Sequence, residues 1–544
     1  MNDTRFVFVT GGVCSSLGKG ITASALGALF VARGYKVVTM KLDPYLNNDA
    51  GTMNPSQHGE VFVTNDGYEA DMDLGHYERF TQMPTSKLSN VTSGQIYTEI
   101  LSKERKGDFL GSTIQVIPHV TNEIKRRIKA LALESNADIM VVEVGGTVGD
   151  IEGQPFLEAL RQLGREELDR HRAIFIHLTL LPFIKAAGEL KTKPTQHSVK
   201  LLREIGIQPD YLVCRCEHPI TEDHKKKLKT FCSIKDVHRI IEARDLDSVY
   251  EAPAALFAQK FDAQILEDLQ LPAHKQEPGP SILEAWDRFN NRRREALERG
   301  RKVKIALVGK YYIEDAYICV DEAINFAAWA HGLNVDVTHV DSAKISKDIE
   351  EAHRVLKEYD GIVIPGGFGS RGIEGKIMAA HYARTNNVPF LGLCLGLQVA
   401  VIEFARNMVG WSDANTTEVD ELTSTPVIAI MEEQKAIMNL GGSMRLGAFE
   451  ANLMEGTKTR AAYGGSAVIS ERHRHRYEVN SRYIGDLAKA GLVVSGTSVR
   501  GGLVETIELP NHPWFVACQY HPEFQSTPLK PHPLFLGFME AISK

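Results

Sequence analysis

The stretch Arg5-Phe-Val-Phe-Val-Thr-Gly-Gly-Val-Cys-Ser-Ser-Leu-Gly-Lys-Gly20 decides the fold of the first half of the chain. A short apolar run at 5–9 predicts a strand, the glycines predict a turn, and an Ala/Leu-rich segment near 20–33 predicts a helix. Further apolar runs repeat this alternation at 35–40, 138–144 and 173–180. Their β-branched residues do not follow a period of two, which is typical of parallel strands buried on both faces. We therefore predict a doubly wound α/β domain with a parallel sheet.

The turn after the first strand has the features of a phosphate-binding loop. A Gly-rich turn, a helix N-terminus and Lys19 together offer amide hydrogens and a positive charge to a phosphate. The run departs from the regular pattern G-x-x-x-x-G-K-[ST], because Val13 stands at the first glycine and Gly20 replaces the hydroxyl residue that would contact magnesium. The segment therefore predicts nucleotide binding through an atypical loop.

Without that hydroxyl, acidic side chains are expected to carry Mg²⁺. Glu143 ends a buried strand, which is where a magnesium-binding carboxylate lies beside a phosphate loop. Asp73, at the end of Glu69-Ala-Asp-Met-Asp73, is the second candidate. The alternative for Asp71 and Asp73 is an exposed acidic turn without a ligand.

A second α/β pattern begins near residue 301. Prolines, a glycine and the charged run Arg292–Glu295 interrupt the first pattern, which predicts a linker that carries one solvated helix. Further strands are predicted at 303–309, 361–365, 389–393 and 514–519. We therefore expect a first domain, a linker and a second doubly wound domain, at 1–270, 271–300 and 301–544.

Three motifs in the second domain indicate nucleophilic catalysis. Pro389–Gln398 places Cys394 between a buried strand and a helix N-terminus, where a sharp turn exposes the thiol and the helix favours the thiolate. His521 and Glu523 follow another apolar strand and point the same way, so that the acid can orient the imidazole. The glycines of Pro365–Gly369 can present N–H groups to an oxyanion. Although a lone buried cysteine is usually structural, these three motifs all lie at strand ends, where open α/β sheets hold their active sites.

This half resembles the class I, or triad, glutamine amidotransferases over about 301–544, since their signature G-x-C-x-G-x-Q is matched at 392–398. The resemblance implies that Cys394 attacks glutamine to form a γ-glutamyl thioester, with His521 as base and Glu523 orienting that base. It also implies oxyanion amides and contacts to the amino acid end of glutamine, from Gly367, Leu395, Gly396, Leu397, Gln398, Glu418 and Arg476.

The composition is that of an ordinary globular protein, with 43% hydrophobic and 24% charged residues and a net charge of −7. This charge argues against binding of nucleic acid along a phosphate backbone. No apolar run has membrane-spanning length and no signal sequence precedes the first strand, so we expect no membrane association and a cytosolic protein. The seven cysteines do not indicate a disulfide framework. Zinc on Cys214, Cys216 and Cys232 is a minor alternative to plain reduced thiols.

The first domain resembles the CTP synthase family, and together with the fused glutaminase the resemblance covers nearly the whole chain. The matching motifs are the phosphate loop, Lys41–Tyr45, Gly51–Val63, Glu143–Glu152 and Lys191–His197. The resemblance implies a dethiobiotin-synthetase-like P-loop fold and the reaction UTP + ATP + glutamine → CTP + ADP + phosphate + glutamate. In this reaction ATP phosphorylates the uracil 4-oxygen, and ammonia then displaces the phosphate. Such a transfer needs positioning and charge neutralisation rather than a protein nucleophile.

The resemblance also implies roles for individual residues of the first domain. ATP would contact Ser16, Leu17, Gly18, Lys19, Gly20, Ile21 and Asp73, and its Mg²⁺ would bind to Asp73 and Glu143. UTP, or CTP as an inhibitor, would contact Ser15, Lys41, Asp150, Ile151, Glu152, Lys191, Thr192, Lys193, Pro194, Thr195, Gln196 and Lys227. Phe231 is a candidate ring contact for the cytosine nucleotide. Arg244 and Asp245 are candidates for contacts to adenine.

Regulation and assembly are implied in the same way. GTP is expected to activate the glutaminase allosterically and CTP to inhibit the enzyme by feedback. The chain is expected to form homotetramers and in some cases filaments. Because ammonium is not nucleophilic, we expect ammonia to travel between the domains in a tunnel, and we hypothesise a gate near Pro55 and His58.

Two alternatives stand beside this interpretation. A cobyrinate-type amidase also joins a P-loop domain to a triad glutaminase but activates a carboxylate, and the motifs at 51–63 and 191–196 favour the pyrimidine enzyme over it. A non-enzymatic P-loop switch or filament scaffold would have no chemical need for Cys394, His521 and Glu523.

Overall fold

The computed structural model of the chain describes residues 3–54, 58–168, 170–275, 282–310, 314–345, 349–430 and 444–544. The strands are β1 (Arg5–Gly11), β2 (Val37–Asp43), β3 (Phe62–Val63), β4 (Glu69–Ala70), β5 (Asn90–Thr92), β6 (Ile139–Val144), β7 (Ala173–Leu180), β8 (Phe183–Ile184), β9 (Glu189–Leu190), β10 (Tyr211–Cys216), β11 (Ile240–Arg244), β12 (Arg301–Gly309), β13 (Leu333–Asp341), β14 (Gly361–Ile364), β15 (Phe390–Leu393), β16 (Asn415–Thr416), β17 (Pro426–Ile430), β18 (Arg445–Leu453), β19 (Val468–His475), β20 (Tyr477–Val479), β21 (Val493–Ser498), β22 (Val504–Glu508) and β23 (Phe515–Cys518).

The α-helices are α1 (Lys19–Ala32), α2 (Asp73–Thr81), α3 (Ser93–Lys106), α4 (Thr121–Ser135), α5 (Gln154–Gln162), α6 (Lys193–Glu204), α7 (Glu222–Cys232), α8 (Ala252–Ala258), α9 (Phe261–Asp268), α10 (Ile282–Arg299), α11 (Ile318–Ala330), α12 (Ile349–Leu356), α13 (Ile373–Asn386), α14 (Leu395–Phe404), α15 (Lys458–Ala462), α16 (Ile484–Lys489) and α17 (Pro533–Ser543). None of the helices in the described ranges is long and apolar enough to cross a membrane.

The chain divides into two compact units whose bounds differ from those expected from the sequence. The first unit holds residues 1–50 and 70–290, and the second holds 51–69 and 291–544. The segment 51–69 belongs to the second unit because its groups pair there: the Ala448 amide donates to the Asn65 carbonyl at 2.9 Å, and Arg474 Nε donates to Glu69 Oε1 at 2.6 Å. Sequence patterns cannot show this, since each of these partners lies hundreds of residues from the segment.

The first unit is built on a seven-stranded sheet in the order β11-β10-β7-β1-β6-β2-β5. All six pairings are parallel, as the unalternating apolar runs predict. The strand β1 lies centrally, where Val7 pairs with Val141 on one side and with Ile174 on the other. Parallel strands end at one edge, so the phosphate loop after β1 emerges beside the ends of β6 and β7.

The second unit is built on a nine-stranded sheet in the order β13-β12-β14-β15-β23-β22-β21-β18-β19. The first five strands are parallel and include all four strands that the sequence predicts in this half. The other four join by antiparallel pairing, so the sheet is mixed. Polar and charged residues are mixed with the apolar ones in three of these strands, β18, β19 and β22, which therefore lack the continuous apolar signal of the parallel strands.

The helix α10 lies in the expected linker, but the expectation of a solvated helix is wrong for one of its faces. Trp286 is 1% exposed, and its ring lies 5.4 Å from that of Phe80 and 5.8 Å from that of Tyr250. Arg293 and Ala296 on the same helix are also buried. The charged residues that alternate with these positions conceal the apolar spacing in the sequence.

The three clustered cysteines lie in an apolar environment. Cys214, Cys216 and Cys232 pack in one hydrophobic cluster with Leu212 and Leu228. Burial raises the pKa of all three thiols above its ordinary value, to about 12 for Cys216 and about 11 for Cys232. Because zinc requires thiolates, this environment favours the reduced, protonated form.

Candidate active sites

Cys394 sits in a strained turn between β15 and α14. Its backbone has φ 54° and ψ −99°, which a residue with a side chain adopts only when its surroundings enforce it. A Cβ on Gly392 would lie 2.7 Å from the Gly396 carbonyl carbon, and one on Gly396 would collide with the Ile364 carbonyl oxygen. The two glycines are therefore required for the close approach of strand and helix that holds the cysteine at this turn.

His521 and Glu523 form a buried pair beside Cys394. His521 Nδ1 lies 2.7 Å from Glu523 Oε1, and both side chains are less than 10% exposed. Burial alone lowers the pKa of His521, but the charges of Glu523 and Cys394 outweigh it and raise the pKa to about 10. The ring is held between Gly366, where a Cβ would lie 2.7 Å from its Cε1 atom, and Phe524, whose ring stacks on it at 5.1 Å.

The pairing of His521 with Glu523 predicts a dependence of stability on pH. Since the folded pKa is raised from 6.5 to about 10, the stabilisation is fully present below pH 6.5 and is lost as the pH rises toward 10. Because a pKa difference of one corresponds to about 1.4 kcal/mol, this pairing contributes at most about 5 kcal/mol to the free energy of unfolding. Glu523→Gln keeps the acceptor oxygen but removes the charge, so the free energy of unfolding should fall less steeply than in the wild type. Denaturant unfolding between pH 6.5 and 10 measures this, and equal slopes would contradict it.

The residues expected to bind glutamine surround this turn. A Cβ on Gly367 would lie 3.6 Å from Leu395 Cδ2, so Gly367 lies against the side chain of Leu395. Gly396 and Leu397 lie in the buried first turn of α14. Glu418 Oε1 accepts a hydrogen bond from the Gly369 amide at 2.5 Å, which ties this acid to the glycine loop. Arg476 lies between β19 and β20, directly before the residue that Gln398 contacts.

Gln519 was not predicted from the sequence, although it lies against the nucleophile. Gln398 Nε2 donates to the Tyr477 carbonyl at 3.0 Å and to Gln519 Oε1 at 3.4 Å. Gln519 Nε2 therefore faces Cys394 Sγ, to which it donates at 3.7 Å. The signal available in the sequence was a polar residue two positions before His521, at the end of an apolar strand.

Lys376 is a second residue that the sequence analysis missed. It is fully buried in α13, and its ammonium donates to the Pro365 carbonyl at 3.2 Å, at the start of the glycine loop. Burial and the nearby charge of Lys310 lower the pKa of Lys376 to about 7, while Cys394 acts in the opposite direction. A lysine in an otherwise apolar helix face was the available signal.

A cavity of about 170 Å³ opens beside the imidazole. Its lining includes Pro365–Phe368, His521 and Glu523, together with Met53 and Val61 from the segment that joins the second unit. His58 of the hypothesised gate lies in the same segment, and its amide donates to the Asn54 carbonyl at 3.1 Å. Pro55 falls outside the described residues, so the gate remains a hypothesis.

The phosphate loop of the first unit contains three residues in the left-handed region of backbone conformation. Val13, Ser16 and Gly18 have φ values of 89°, 59° and 90°, and the residues from Val13 to Ser16 are exposed. Lys19 begins α1 and its ammonium donates to the Gly146 carbonyl at 2.7 Å. Burial lowers the pKa of Lys19 below its ordinary value, against the opposing charge of Glu143.

The structure explains why a glycine stands at position 20. A Cβ on Gly20 would collide with Asp73 Oδ1 at the start of α2. The carboxylate thus occupies the space in which the hydroxyl residue of a regular phosphate loop would stand. Asp73 and the phosphate loop are neighbours, as the substitution of glycine for the hydroxyl predicts.

Asp73 and Glu143 converge on one ammonium group. Lys41 Nζ pairs with Asp73 Oδ2 and lies 3.0 Å from Glu143 Oε1, while the Tyr77 hydroxyl donates to the other oxygen of Glu143. Burial raises the pKa of Glu143. For Asp73, the charges of Lys41, His76 and Lys19 and the hydrogen bond from Lys41 together outweigh burial and lower the pKa. Asp71 accepts from the Asp73 amide at 2.9 Å, so the acidic turn is ordered around this group.

The residues expected to hold the pyrimidine nucleotide form two groups. The first surrounds the start of α6: Lys191 pairs with Glu189, Gln196 Nε2 donates to Thr192 Oγ1 at 3.0 Å, and the Lys193 ammonium lies 5.7 Å from the Phe231 ring centre. Pro194 and Thr195 lie in the first turn of the helix, and Lys227 lies one turn before Phe231 on α7.

The second group is the turn that follows β6. Asp150 Oδ2 accepts from the Thr147 amide at 2.8 Å, and Ile151 and Glu152 are exposed. A Cβ on Gly149 would lie 3.4 Å from Leu201 Cδ1, so the turn packs against α6. Ser15 lies in the exposed part of the phosphate loop.

A cavity of about 90 Å³ lies beside the phosphate loop. Its lining includes Gly18, Ile21 and Arg244, and Asp245 next to it forms an ion pair with Arg215 at 2.6 Å. Leu17, an expected ATP contact, also lines the cavity, and apolar side chains that the sequence analysis missed complete the wall: Leu246, Val249 and Leu256. No motif distinguishes such residues from ordinary core positions.

Both halves of the chain match families of known proteins. Residues 5–271 match the family described as CTP synthase N-terminus, and residues 312–541 match class I glutamine amidotransferase. The CTP synthase of Listeria innocua is 50% identical over 539 residues, which cover 99% of each chain. That of Rubrobacter xylanophilus is 53% identical over 542 residues, which cover 99% of this chain and 96% of the relative. A solved glutaminase domain of Trypanosoma brucei CTPS with bound acivicin is 42% identical over 44% of this chain and 94% of its own, with a TM-score of 0.42.

These matches favour neither the carboxylate-activating amidase nor the non-enzymatic switch. Relatives with about half of their residues identical over nearly the full length share one name, and the two family models occur in the order that the motifs predict. The chain therefore belongs to the CTP synthase family, the glutamine-hydrolysing ligases that use ATP to aminate UTP to CTP.

Proposed function

We propose that the second unit releases ammonia from glutamine with Cys394 as the nucleophile. The thiolate attacks the side-chain amide carbon, and the amides of Gly367 and Leu395 stabilise the oxyanion. His521, oriented by Glu523, protonates the departing ammonia and then activates the water that cleaves the thioester. The strained backbone of Cys394 beside the buried His521–Glu523 pair is the observation that carries this assignment.

In the first unit, we propose that Lys19 and Lys41 neutralise charge during phosphoryl transfer. The γ-phosphoryl group of ATP moves to the 4-oxygen of UTP, ammonia attacks C4, and phosphate leaves with that oxygen. Lys19 lies at the start of α1 behind a turn whose exposed residues suit a phosphate, and Lys41 lies between two carboxylates. Ser15–Ile21 and Asp73 would then contact ATP, and the cavity lined by Arg244 and Leu246 would receive adenine.

The pyrimidine nucleotide is assigned to the start of α6. The lysines at 191 and 193, the amide of Gln196 and Lys227 offer positive charge and donors for three phosphates. Lys193 and Phe231 lie side by side, which suits a nucleotide whose phosphate and ring bind next to each other. CTP as feedback inhibitor would use Phe231 and the turn at Asp150–Glu152.

We propose Asp73 and Glu143 as the protein ligands of Mg²⁺. The fit rests on donor chemistry: two carboxylates from different elements meet around one positive charge, and carboxylate oxygens are preferred magnesium ligands. Within the described ranges no group of three or more such side chains converges, which agrees with an ion that takes its other ligands from phosphates and water. When bound, the ion would neutralise phosphate charge beside Lys19.

Asp73→Asn should raise the Mg²⁺ concentration needed for half-maximal ammonia-dependent CTP formation by about 10- to 100-fold. The amide keeps the shape but loses the charge that holds the ion. Asp71→Asn is the matched control, because its amide oxygen can still accept from the Asp73 backbone. A magnesium titration at fixed ATP measures the effect, and an unchanged requirement in Asp73→Asn would count against the assignment.

Regulation and assembly are proposed from family membership. GTP is the proposed activator of the glutaminase and CTP the proposed inhibitor. A homotetramer, with filaments as a further state, is supported by large apolar side chains that stay 46–93% exposed in one short segment: Leu101, Leu110, Val116 and Ile117. Seven free cysteines agree with the reducing cytosol as the proposed compartment.

The proposed division of labour has a direct test. The full chain is supplied with UTP, ATP, Mg²⁺ and ammonium chloride without glutamine, and CTP is followed by its absorbance. Product formation is expected, because the first unit needs only free ammonia. Absence of product from ammonia, with intact glutamine hydrolysis, would refute the role of the first unit.

A further inference from the structure

A buried hydrogen-bonded chain joins the two loops to which the nucleotides are assigned. His177 lies in the middle of β7 and is fully buried. Its Nε2 atom lies 2.8 Å from Ser198 Oγ on α6, and its Nδ1 atom lies 3.0 Å from Thr10 Oγ1 at the end of β1. Ser198 and Thr10 are 3% and 1% exposed, so the chain is shielded from water along its whole length.

The direction of each hydrogen bond follows from the partners. The Thr10 hydroxyl donates to the Ile176 carbonyl at 3.3 Å, so its oxygen accepts from Nδ1–H of His177. The Nε2 atom then carries no hydrogen and accepts from the Ser198 hydroxyl. Burial and the charge of Lys19 lower the pKa of His177 to about 3, which keeps the ring neutral.

The two ends of the chain lie beside different loops. At one end, Thr10 directly precedes the phosphate loop. The first turn of that loop also rests on the Ser198–His177 pair, since a Cβ on Gly12 would collide with Ser198 Oγ and would lie 3.3 Å from His177 Cε1. At the other end, Ser198 lies on α6, five residues after Lys193. The start of α6 is also fixed to β7, since Thr195 Oγ1 donates to the Leu180 carbonyl at 3.0 Å.

We infer that Ser198, His177 and Thr10 are positioning residues that couple the two nucleotide sites. A pyrimidine nucleotide at the start of α6 orders that helix, and the helix fixes the phosphate loop through Ser198 and Gly12. Binding of UTP therefore strengthens binding of ATP, and by thermodynamic reciprocity ATP strengthens binding of UTP by the same factor. Such coupling keeps ATP from being committed when no pyrimidine acceptor is present. The inference rests on the proposed assignment of the two loops.

The test measures the coupling factor in the full chain, without glutamine. The dissociation constant of a non-hydrolysable ATP analogue is determined by calorimetry with and without saturating UTP, while sedimentation monitors the oligomeric state. In the wild type, UTP is expected to lower the dissociation constant of the analogue by a factor in the usual range of about 5 to 150. Ser198→Ala should reduce this factor to below about 2, since it removes the donor to His177.

Two further variants isolate the effect. Thr10→Val interrupts the chain at its other end and should cause the same loss. Thr179→Val is the matched control, because Thr179 lies two residues from His177 on the same strand and its hydroxyl has no partner in the described residues. A merely structural defect would weaken binding of each nucleotide alone and would leave the coupling factor unchanged. Equal coupling in Ser198→Ala and Thr179→Val, or no coupling in the wild type, would overturn the inference.

The site assignments fail separately from the coupling. If Lys191→Ala does not weaken binding of UTP, or Lys19→Met does not weaken binding of the ATP analogue, the assignment of the nucleotides to these loops is wrong whatever the coupling factor is. If both variants weaken binding of their nucleotide while Ser198→Ala keeps the full coupling factor, the site assignments are supported and the coupling through Ser198, His177 and Thr10 is refuted.

Discussion

Cys394→Ala is expected to abolish CTP formation from glutamine and to leave formation from added ammonia within about twofold of the wild type. Loss of a catalytic nucleophile in comparable triads lowers turnover by about 10⁴- to 10⁶-fold. His521 and Glu523 cannot substitute for it, because neither can form the thioester. The first unit has its own sheet and its own loops, and under the proposed function it needs only free ammonia. Glutamate release and CTP absorbance, measured with each nitrogen source, separate the two activities.

A control must separate loss of the nucleophile from loss of packing. Cys518 is suitable, because it is fully buried on β23, the strand that pairs with β15 next to Cys394. Cys518→Ala removes a core thiol of equal size and should retain glutamine-dependent activity. If Cys394→Ala formed CTP from glutamine at more than about 1% of the wild-type rate, the assignment of Cys394 as the nucleophile would be refuted. If Cys394→Ala lost CTP formation from both glutamine and ammonia, the two-site assignment would be refuted.

Lys19→Met should produce the opposite pattern. CTP formation from both glutamine and ammonia should fall by about 10²- to 10³-fold, the usual cost of removing one group that stabilises transition-state charge. Methionine retains most of the apolar length of the side chain, which packs under Gly11, where a Cβ would lie 2.7 Å from Lys19 Cδ. Hydrolysis of glutamine without nucleotides should continue, since Cys394 and His521 are untouched.

Lys36→Met provides the comparison for this variant. Lys36 is exposed at the turn before β2, in the same unit, and takes no part in the phosphate loop. Its loss should change neither activity by more than about twofold. Ammonia-dependent turnover that survives in Lys19→Met would show that the loop does not hold the transferred phosphate. Circular dichroism of each variant excludes unfolding as the cause.

Much of the fold could be predicted because buried parallel strands are continuous apolar runs. Val7 and Val141 illustrate this, as they pair at the centre of the first sheet within two such runs. The candidate nucleophile was accessible for a related reason, since Cys394 stands where a strand, a glycine pair and a helix meet. These signals are local, and each of them lies within about ten residues of sequence.

The remainder depends on contacts between distant residues, which local patterns do not encode. The segment 51–69 joins the second unit through partners such as Arg474 and Ala448. Antiparallel strands of that unit, such as β18 and β22, mix charged residues with apolar ones. Gln519 reaches Cys394 only because two strand ends meet. The buried face of α10 was missed because Trp286 finds its partners in other helices and turns.

Gly20 and Asp73 approach so closely that the residue at one position restricts the size of the residue at the other. A motif search that demands serine or threonine after the loop lysine will pass over this chain, although the space it seeks is filled by a carboxylate from another helix. A protein engineer who restores the hydroxyl must shorten residue 73 in the same step. Homologous loops should accordingly exchange these two residues only as a pair.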